Sequence, residues 1–374
     1  MTETDVLIVG GGPAGSSLAG ALGAAGIDVT VMDRANFPRN KVCAGWITPA
    51  VVQALDLDLD DYARGRVLQA IHGFRVGVIG GAEVETRRDH RAISYGIRRC
   101  EFDDYLLTRS GAPMRLGESL REIRRDGDGW MVNHDLRARL VVGAGGHFCP
   151  VARMLGARPG RGEATVLAQE IEFEMTPRQR ESCRVDPAVP ELYFCPDLRG
   201  YGWALRKGDW LNVGLGREDP ERLTDHVEAF RDSLVARGRI PEETPRKLGG
   251  HAYLLYGHTE RRIVADGVLL VGDAAGLAYP ESGEGIRPAV ESGLIAAQVI
   301  VEAHGDYGTA RLARYEARLH ERFGPRRPGA TAIDLLPSGL KRTLAHRLLA
   351  TEWFARRVVM DRWFLHRNQP ALLP

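Results

Sequence analysis

The chain has 374 residues, 44% of them hydrophobic and 26% charged, with a formal net charge of +1. This length leaves room for two lobes around a large cofactor, and the near-neutral net charge gives no overall basic signature of nucleic-acid binding, so no nucleic-acid partner is predicted. The five cysteines form no C-x-x-C pair and have no histidine cluster nearby. This argues against a disulfide framework and a metal site, and it predicts a cytoplasmic protein.

Residues 5–34, DVLIVGGGPAGSSLAGALGAAGIDVTVMDR, predict a buried strand, a glycine turn, a helix and a second strand. Gly10 suits the tight turn, Gly12 the close approach to a pyrophosphate, and Gly15 the close packing of helix on strand. The helix N-terminus offers free N–H groups to the phosphates, and Asp33 is placed to accept a hydrogen bond from a ribose hydroxyl. The predicted dinucleotide-binding residues here are Gly10, Gly12, Pro13, Ala14, Gly15, Asp33 and Arg34.

The next elements alternate between strands and helices. Short strands are predicted within 69–99 and again from about 165 to 260. Buried strands that end in glycines are predicted within 138–150 and 266–276, with a helix from about 285 to 303 after the second of them. The predicted division is a discontinuous nucleotide-binding domain of 1–68, 97–162 and 262–310, a β-rich substrate domain of 69–96 and 163–261, and a helical cap of 311–374.

The final segment is basic. Residues 311–374 contain 13 Lys and Arg against 5 Asp and Glu, in a helical pattern of apolar and aromatic positions. One interpretation is a helical hairpin that caps the protein and holds its arginines in solvent. The other is a basic amphipathic surface that contacts a membrane or an acidic carrier protein.

Three motifs resemble those of FAD-dependent oxidoreductases of the para-hydroxybenzoate hydroxylase and glutathione reductase type. The first is the N-terminal fingerprint. In the second, Gly272 and Asp273 are similar to the G-D-A motif, whose aspartate contacts the ribitol of FAD. In the third, Arg99, Phe102 and Asp103 are similar to R-x-x-F-D, whose arginine lies near the FAD phosphates. The resemblance implies an α/β fold, with a Rossmann-like FAD-binding domain, an inserted β-rich α+β substrate domain and a C-terminal helical segment.

Finer features resemble the geranylgeranyl reductase family. KVCAGWITP, residues 41–49, is similar to its K-x-C-G-G segment, and GYGWALRKG, residues 200–208, to its Y-x-W-x-F-P motif. The family resemblance implies that Cys43, Ala44 and Gly45 contact FAD and that the cysteine lies on the substrate side of the flavin. There a weak S–H donor would assist protonation; simple packing is the alternative.

The substrate-lobe motif departs from the family pattern. Leu205 and Arg206 replace Phe-Pro, which removes an aromatic wall and puts a cation beside Lys207. Tyr201 and Trp203 are assigned catalytic roles in lining the cavity, with core packing as the alternative. Two further residues, Trp46 and Arg206, are predicted to shape the same cavity.

The segment 279–287 is predicted to loop beneath the flavin and to start a helix. Backbone N–H groups at Gly285 and Ile286, with Gly283 before them, are expected to stabilise the negative charge of reduced flavin. Glu281 and Glu284 are predicted to be caps on the solvent side. His147 and His251 have no partner at metal-ligand spacing and are predicted to be ordinary core or surface histidines.

The motifs together predict an FAD-dependent reductase of C=C bonds in an isoprenoid, polyene or other lipid-like hydrophobic molecule. The alternatives are a monooxygenase of an aromatic or polyketide substrate, a flavin dehydrogenase acting on a carrier-bound substrate, and a non-catalytic FAD-binding protein. Because the sequence has one full dinucleotide fingerprint, the reductant is expected to be transiently docked NAD(P)H or a reduced electron-carrier protein.

Overall fold

The computed structural model describes residues 2–88, 91–159, 163, 165–219, 221–258, 261–326 and 338–373. The strands are β1 Thr2–Val9, β2 Val29–Asp33, β3 Trp46–Ile47, β4 Leu68–Ile71, β5 Gly73–Val78, β6 Glu83–Arg87, β7 Ser94–Ile97, β8 Met114–Leu116, β9 Ile123–Asp126, β10 Gly129–Val132, β11 Leu136–Gly143, β12 Thr165–Glu174, β13 Glu191–Phe194, β14 Gly200–Lys207, β15 Trp210–Arg217, β16 Gly249–Leu254, β17 Val264–Ala265 and β18 Val268–Leu270.

The α-helices are α1 Pro13–Ala24, α2 Pro49–Ala54, α3 Leu59–Tyr62, α4 Arg99–Arg109, α5 Pro150–Met154, α6 Pro177–Ser182, α7 Leu223–Ala236, α8 Ile286–Glu302, α9 Thr309–Leu312, α10 Arg314–Phe323, α11 Ser338–Leu349 and α12 Glu352–Phe354. A 3₁₀ turn spans Gly272–Ala275, and a π-helical segment spans Ala355–Phe364.

The first sheet has the order β17-β18-β11-β1-β2-β8, and the β9–β10 hairpin extends from β11. The run from β18 to β8 is parallel. Strands buried on both faces are apolar throughout, and Val6, Leu7 and Ile8 of β1 are accordingly fully buried. This sheet, with α1 crossing from β1 to β2, confirms the α/β fold and the predicted N-terminal βαβ unit.

Helices α1 and α8 pack closely because small residues face each other. A Cβ atom at Gly293 would lie 2.5 Å from the carbonyl oxygen of Ala14, and one at Gly272 would lie 3.0 Å from the Ala14 Cβ. No larger side chain fits between the two helices at these positions. The N-termini of α1 and α8 are therefore held near the same edge of the sheet, beyond the carboxyl ends of its parallel strands.

The second sheet has the order β16-β12-β15-β14-β13-β5-β6, and the third has the order β3-β7-β4. Side chains alternate between the two faces of the second sheet. One face packs against α7, through Val227, Phe230 and Leu234. The opposite face turns toward the Cys43 segment at its β16 end and toward the C-terminal helices at its β6 end.

The C-terminal segment supplies part of the second core. Leu349, Val359 and Phe364 pack with Phe74 and Trp46 against the second sheet. Earlier in the tail, α10 packs on the core of the first sheet instead. The tail is helical as predicted, and residues 327–337 lie outside the described residues. No described helix has the length and apolar composition needed to cross a membrane.

Candidate cofactor and active site

The fingerprint glycines differ in what surrounds them. Gly10 has a φ of +123°, and a Cβ there would overlap the backbone at Ala144. At Gly15, a Cβ would overlap the carbonyl oxygen of Gly10. Gly12 instead faces open space, where the nearest atom to a Cβ would be Nη2 of Arg39 at 3.4 Å. Two glycines are therefore required by the protein's own packing, and the third leaves its backbone accessible to a ligand.

The N-terminus of α1 has the free backbone groups and the nearby positive charge that suit an anion. Gly12 is the N-cap residue, no described side chain caps this end, and Pro13 occupies the first turn. Arg39 lies beside it and forms an ion pair with Asp103 at 3.3 Å. Asp103 is also held by Arg99 through contacts of 2.8 and 2.9 Å. Free backbone N–H groups and guanidinium groups suit a pyrophosphate.

Arg99 keeps its charge although it is buried. Burial alone would lower its pKa, but the carboxylate of Asp103, followed by Cys43, outweighs this and raises the pKa above the usual value. Arg99 is thus a buried cation held by Asp103, and Arg39 is the arginine closer to Gly12. Sequence reasoning missed Arg39 because it belongs to no motif.

Asp33 shapes the fingerprint loop. Its Oδ2 accepts a hydrogen bond of 2.8 Å from the N–H of Gly11, and its Oδ1 accepts one of 2.9 Å from the N–H of Ala35. A carboxylate has further lone pairs, so these bonds leave acceptors for a ribose hydroxyl. The next residue, Arg34, is exposed.

A half-buried polar cluster joins the Cys43 segment to the G-D-A motif. Nζ of Lys41 lies 2.8 and 2.6 Å from the two ring nitrogens of His251, and Nε2 of His251 lies 3.4 Å from Oδ2 of Asp273. Burial lowers the pKa of Lys41 to about 8, against the attraction of Asp273. Burial would raise the pKa of Asp273, but the hydrogen bond from His251 and the charge of Lys41 hold it at about 2. His251 is thus a bridging residue, and no sequence motif pointed to it.

The loop before α8 contains one correction. Glu281 is exposed, as predicted. Glu284 does cap α8, since its Oε1 accepts a hydrogen bond of 3.1 Å from the N–H of Arg287, but its Oε2 is buried, so its predicted place on the solvent side was wrong. Burial raises the pKa of Glu284 to about 7. The fold packs this turn beneath the second sheet, where a Cβ at Gly283 would overlap the hydroxyl of Tyr253.

The first residues of α8 meet the G-D-A aspartate. A Cβ at Gly285 would lie 3.2 Å from Oδ1 of Asp273. Gly285 is the N-cap residue of α8 and has no side chain to cap the helix, and Ile286 is the first helical residue. The N-termini of α1 and α8 therefore flank Asp273, and the dipoles of both helices favour negative charge there.

Cys43 is one of two cysteines that are not fully buried. Cys149, Cys183 and Cys195 are buried, as expected of small apolar side chains, whereas Cys43 and Cys100 are half-buried. Gly45, two residues after Cys43, has a φ of +76°, and a Cβ there would lie 2.6 Å from Nζ of Lys207. This glycine lets the segment turn back over the second sheet.

Tyr201 and Trp203 lie on the same face of β14. The Tyr201 hydroxyl donates a hydrogen bond of 2.5 Å to the carbonyl of Ser282, and Nε1 of Trp203 donates one of 2.7 Å to Oδ1 of Asn212. Tyr201 lines a cavity of about 80 Å³ together with Phe194 and Tyr253. Burial raises the pKa of Tyr201 well above its usual value, so its hydroxyl stays protonated.

The structure separates Arg206 from the other residues predicted to shape the cavity. Lys207 is fully buried and points toward the Cys43 segment, whereas Arg206 donates to the carbonyls of Gly208 and Arg180. Consecutive strand residues face opposite sides of a sheet, so the prediction that Arg206 shapes the cavity was wrong. Trp46 packs against Phe74 and Phe364 in the C-terminal cluster.

Comparison with known proteins identifies the family. Residues 3–70 match the model of an FAD binding domain. A digeranylgeranylglycerophospholipid reductase of Methanopyrus kandleri is 31% identical, over 86% of this chain and 87% of its own length. The chain belongs to the FAD-dependent geranylgeranyl reductase family. A menaquinone reductase of Mycolicibacterium smegmatis, 30% identical over 83% of this chain and 79% of its own, is another relative of this reductase.

Solved structures agree on the fold of this geranylgeranyl reductase family member. A geranylgeranyl bacteriochlorophyll reductase-like protein from Thermoplasma acidophilum superposes with a TM-score of 0.75 at 20% identity, covering 97% of this chain and 98% of that one. PqsL of Pseudomonas aeruginosa superposes with a TM-score of 0.64 at 24% identity, covering 86% and 92%. The fold of an FAD-dependent oxidoreductase with a C-terminal helical segment is confirmed.

The described residues of this reductase fit FAD. The open backbone at Gly12, the uncapped start of α1 and the nearby Arg39 suit the pyrophosphate. Asp273 suits the ribitol hydroxyls, since it keeps its negative charge between two helix N-termini. FAD is thus the cofactor of this family member. Within the described parts of the chain, no group of three or more His, Cys, Asp or Glu side chains is arranged to hold a metal ion.

Proposed function

We propose that this protein reduces C=C bonds of an isoprenoid or related lipid-like molecule with hydride from FAD. The observation that carries the proposal is the position of the half-buried Cys43 segment, which lies between the G-D-A motif and the face of the second sheet that bears Tyr201 and Trp203. The names of the two relatives support it, because they specify reduction of a digeranylgeranylglycerophospholipid and of menaquinone.

When bound, FAD supplies the hydride. The protein's own contribution is a proton donor and a dry surface. The Cys43 thiol is proposed to donate a proton to the second alkene carbon, which forms the C–H bond that completes the reduction. Tyr201 remains protonated but already donates to the Ser282 carbonyl, so its proposed role is to orient the substrate. The ring centroids of Phe194 and Phe364 lie 6.1 and 5.4 Å from that of Tyr201, and these rings exclude water beside the substrate.

The electron donor is proposed to be external, either transiently docked NAD(P)H or a reduced electron-carrier protein. The single dinucleotide fingerprint at Gly10 to Gly15 supports this, because it is assigned to FAD. A monooxygenase is the second candidate, supported by the similarity to PqsL, which is described as a probable FAD-dependent monooxygenase. Dehydrogenation of a carrier-bound substrate is the reverse of the proposed chemistry.

Anaerobic reoxidation of the flavin distinguishes these functions. The protein is reduced with dithionite and mixed with a panel of polyprenyl and polyene compounds while the absorbance of oxidised flavin is followed. A reductase returns the absorbance and yields a product heavier by two hydrogens. If the absorbance returns only when oxygen is admitted, the reductase proposal fails on that panel and a monooxygenase is favoured.

Cys43→Ala is expected to slow substrate-dependent reoxidation by about 100-fold or more, since a positioned proton donor contributes about 10²-fold to 10⁴-fold. Cys195→Ala is the matched control, because it removes a buried thiol from outside the Cys43 segment. Both variants are first checked for bound FAD. A Cys43→Ala variant with the wild-type rate would assign the proton to another group.

The basic tail is proposed to contact an anionic membrane surface that holds the substrate. Leu340, Leu344 and Trp353 are 55%, 42% and 67% exposed, and exposed arginines accompany them. These arginines are Arg342, Arg347, Arg356 and Arg357. Exposed apolar side chains among cations are typical of interfacial helices. An acidic carrier protein is the alternative partner.

Vesicles test this surface directly. Leu344→Ser with Trp353→Ser is expected to lower sedimentation with vesicles containing phosphatidylserine by about tenfold, because two apolar anchors are removed. Met114→Ser, which removes another exposed apolar side chain, should leave binding unchanged. Equal sedimentation of wild type and double variant would contradict the membrane proposal and leave the carrier protein as the partner to test.

A further inference from the structure

The backbone around Cys43 is held by side chains of the second sheet. The N–H of Cys43 donates a hydrogen bond of 2.8 Å to Oε1 of Glu170, and the Cys43 carbonyl accepts one of 3.1 Å from Nδ2 of Asn212. The next carbonyl, at Ala44, accepts one of 3.1 Å from Nζ of Lys207. Three backbone groups of two successive residues are thus bound by residues of three adjacent strands, β12, β15 and β14.

Glycines make room for this contact. Glu170 is paired with a glycine on each neighbouring strand: Gly214 of β15 and Gly249 of β16. A Cβ at Gly249 would lie 2.9 Å from Cγ2 of Val42, and one at Gly214 would lie 2.7 Å from Cε2 of Trp203. With any larger residue at these two positions, the segment before Cys43 and the Trp203 ring would have to move away from the sheet.

The binding side chains are connected and withdrawn from water. Asn212 and Lys207 are fully buried, and Glu170 is 5% exposed. Glu172 links two of them, since its Oε1 lies 2.5 Å from Nζ of Lys207 and 3.3 Å from Nδ2 of Asn212. Burying polar and charged groups is costly unless they are paired, and an apolar sheet face would hold a segment that only needed packing. The chain instead devotes polar residues to fixing the backbone at this cysteine.

We infer that Glu170, Asn212 and Lys207 are positioning residues that fix the Cys43 thiol for its reaction, an inference that rests on the proposed function. They act through the backbone and need not touch the substrate. Displacing a reacting group by about 1 Å costs about 100-fold in rate, so a three-point attachment has a large effect on turnover. Neither the K-x-C motif nor the Y-x-W motif includes Glu170 or Asn212.

Substitutions can separate this role from simple packing. Glu170→Met keeps the size but loses the acceptor, whereas Glu170→Gln keeps an oxygen that accepts from the Cys43 N–H. Asn212→Asp keeps the acceptor for Trp203 and loses the donor to Cys43. The matched control is Gln169→Met, at the neighbouring residue of β12, whose side chain faces the other side and contacts Thr224.

The first readout is independent of catalysis. Alkylation of Cys43 by iodoacetamide is followed by mass spectrometry of its peptide in the FAD-loaded protein. Glu170→Met and Asn212→Asp are expected to react about tenfold faster than wild type, because a lost hydrogen bond frees the half-buried segment. Glu170→Gln and Gln169→Met should stay within about twofold of wild type. Rates within that range for Glu170→Met and Asn212→Asp would overturn the inference.

The second readout is turnover. In the same two variants, kcat is expected to fall by about 10-fold to 100-fold while KM changes little, with Glu170→Gln restoring most of the rate. A rise in KM of that size with kcat unchanged would indicate a role in substrate binding and overturn the positioning role. If wild type reduces no substrate, the proposed function fails while the alkylation rates still decide whether the attachment exists. If Glu170→Met loses FAD, Asn212→Asp decides.

Discussion

Gly15→Ala is expected to abolish FAD binding and to destabilise the protein by about 3 kcal/mol or more, since overpacking against rigid backbone is at the costly end of such changes. The new Cβ would overlap the Gly10 carbonyl oxygen and lie 3.1 Å from Cγ2 of Ile8. Neither neighbour is the free end of a flexible side chain. The measurements are FAD content after purification and the free energy of unfolding of the apoprotein.

Two neighbouring glycines provide the controls. Gly20→Ala, in the same helix, would place its Cβ 3.7 Å from the nearest atom, at Ser110, and is expected to leave FAD binding unchanged and to raise stability slightly. Gly12→Ala meets only the end of Arg39, so the apoprotein should keep its stability while FAD affinity falls about tenfold or more. Normal FAD affinity in Gly12→Ala would place the pyrophosphate elsewhere.

The wild-type protein is expected to lose stability as pH rises from about 4.5 to about 7, and Glu170→Gln is expected to abolish that loss. Burial raises the pKa of Glu170 to about 7, against the hydrogen bond from Cys43 N–H. In that pH window the unfolded chain has released the proton and the folded protein retains it, so the free energy of unfolding falls as pH rises. The stability present at low pH and lost by pH 7 is about 3 kcal/mol.

The test compares urea unfolding of the two apoproteins at several pH values from 4.5 to 7.5. The variant should become more stable relative to wild type as pH rises and then level off above pH 7. Charges that face Glu170 are Lys207, which lowers its pKa, and Glu172, which raises it. Glu281→Gln, at an exposed carboxylate, provides the background slope. Parallel curves for wild type and Glu170→Gln would show that Glu170 ionises in its usual range.

The parts of the site that were predictable are those in which one short segment carries both the fold and the chemistry. Gly10 and Gly15 serve the turn and the packing of their own βαβ unit, so their spacing alone indicates the structure. The positions of Asp273 and the start of α8 followed from a strand, a glycine exit and a helix in succession.

The remaining contacts depend on how distant strands align. Glu170 and Cys43 are 127 residues apart, and Asn212 and Cys43 are 169 apart, so only the folded structure shows that they meet. The error at Arg206 has a different origin: neighbouring residues of one strand face opposite sides of the sheet, and Arg206 lies on the side away from Tyr201 and Trp203. One signal was present but unused: polar and glycine residues alternate at Asn212, Gly214 and Gly216, which marks one face that receives another segment.

The parallel pairing of β11 with β18 has a consequence for biosynthesis. Val141 and Val268 are partners although they are 127 positions apart in the sequence, and Asp273 lies in the 3₁₀ turn that follows β18. Most of the chain must therefore be synthesised and leave the ribosome before β18 can join the first sheet as its last parallel strand. Until then the edge of β11 at residues 141–143, beyond its pairing with β10, is unpaired and apolar, which is the kind of surface that chaperones cover. Long-range pairing also slows folding, so a mature cofactor site is expected late in synthesis and assembly.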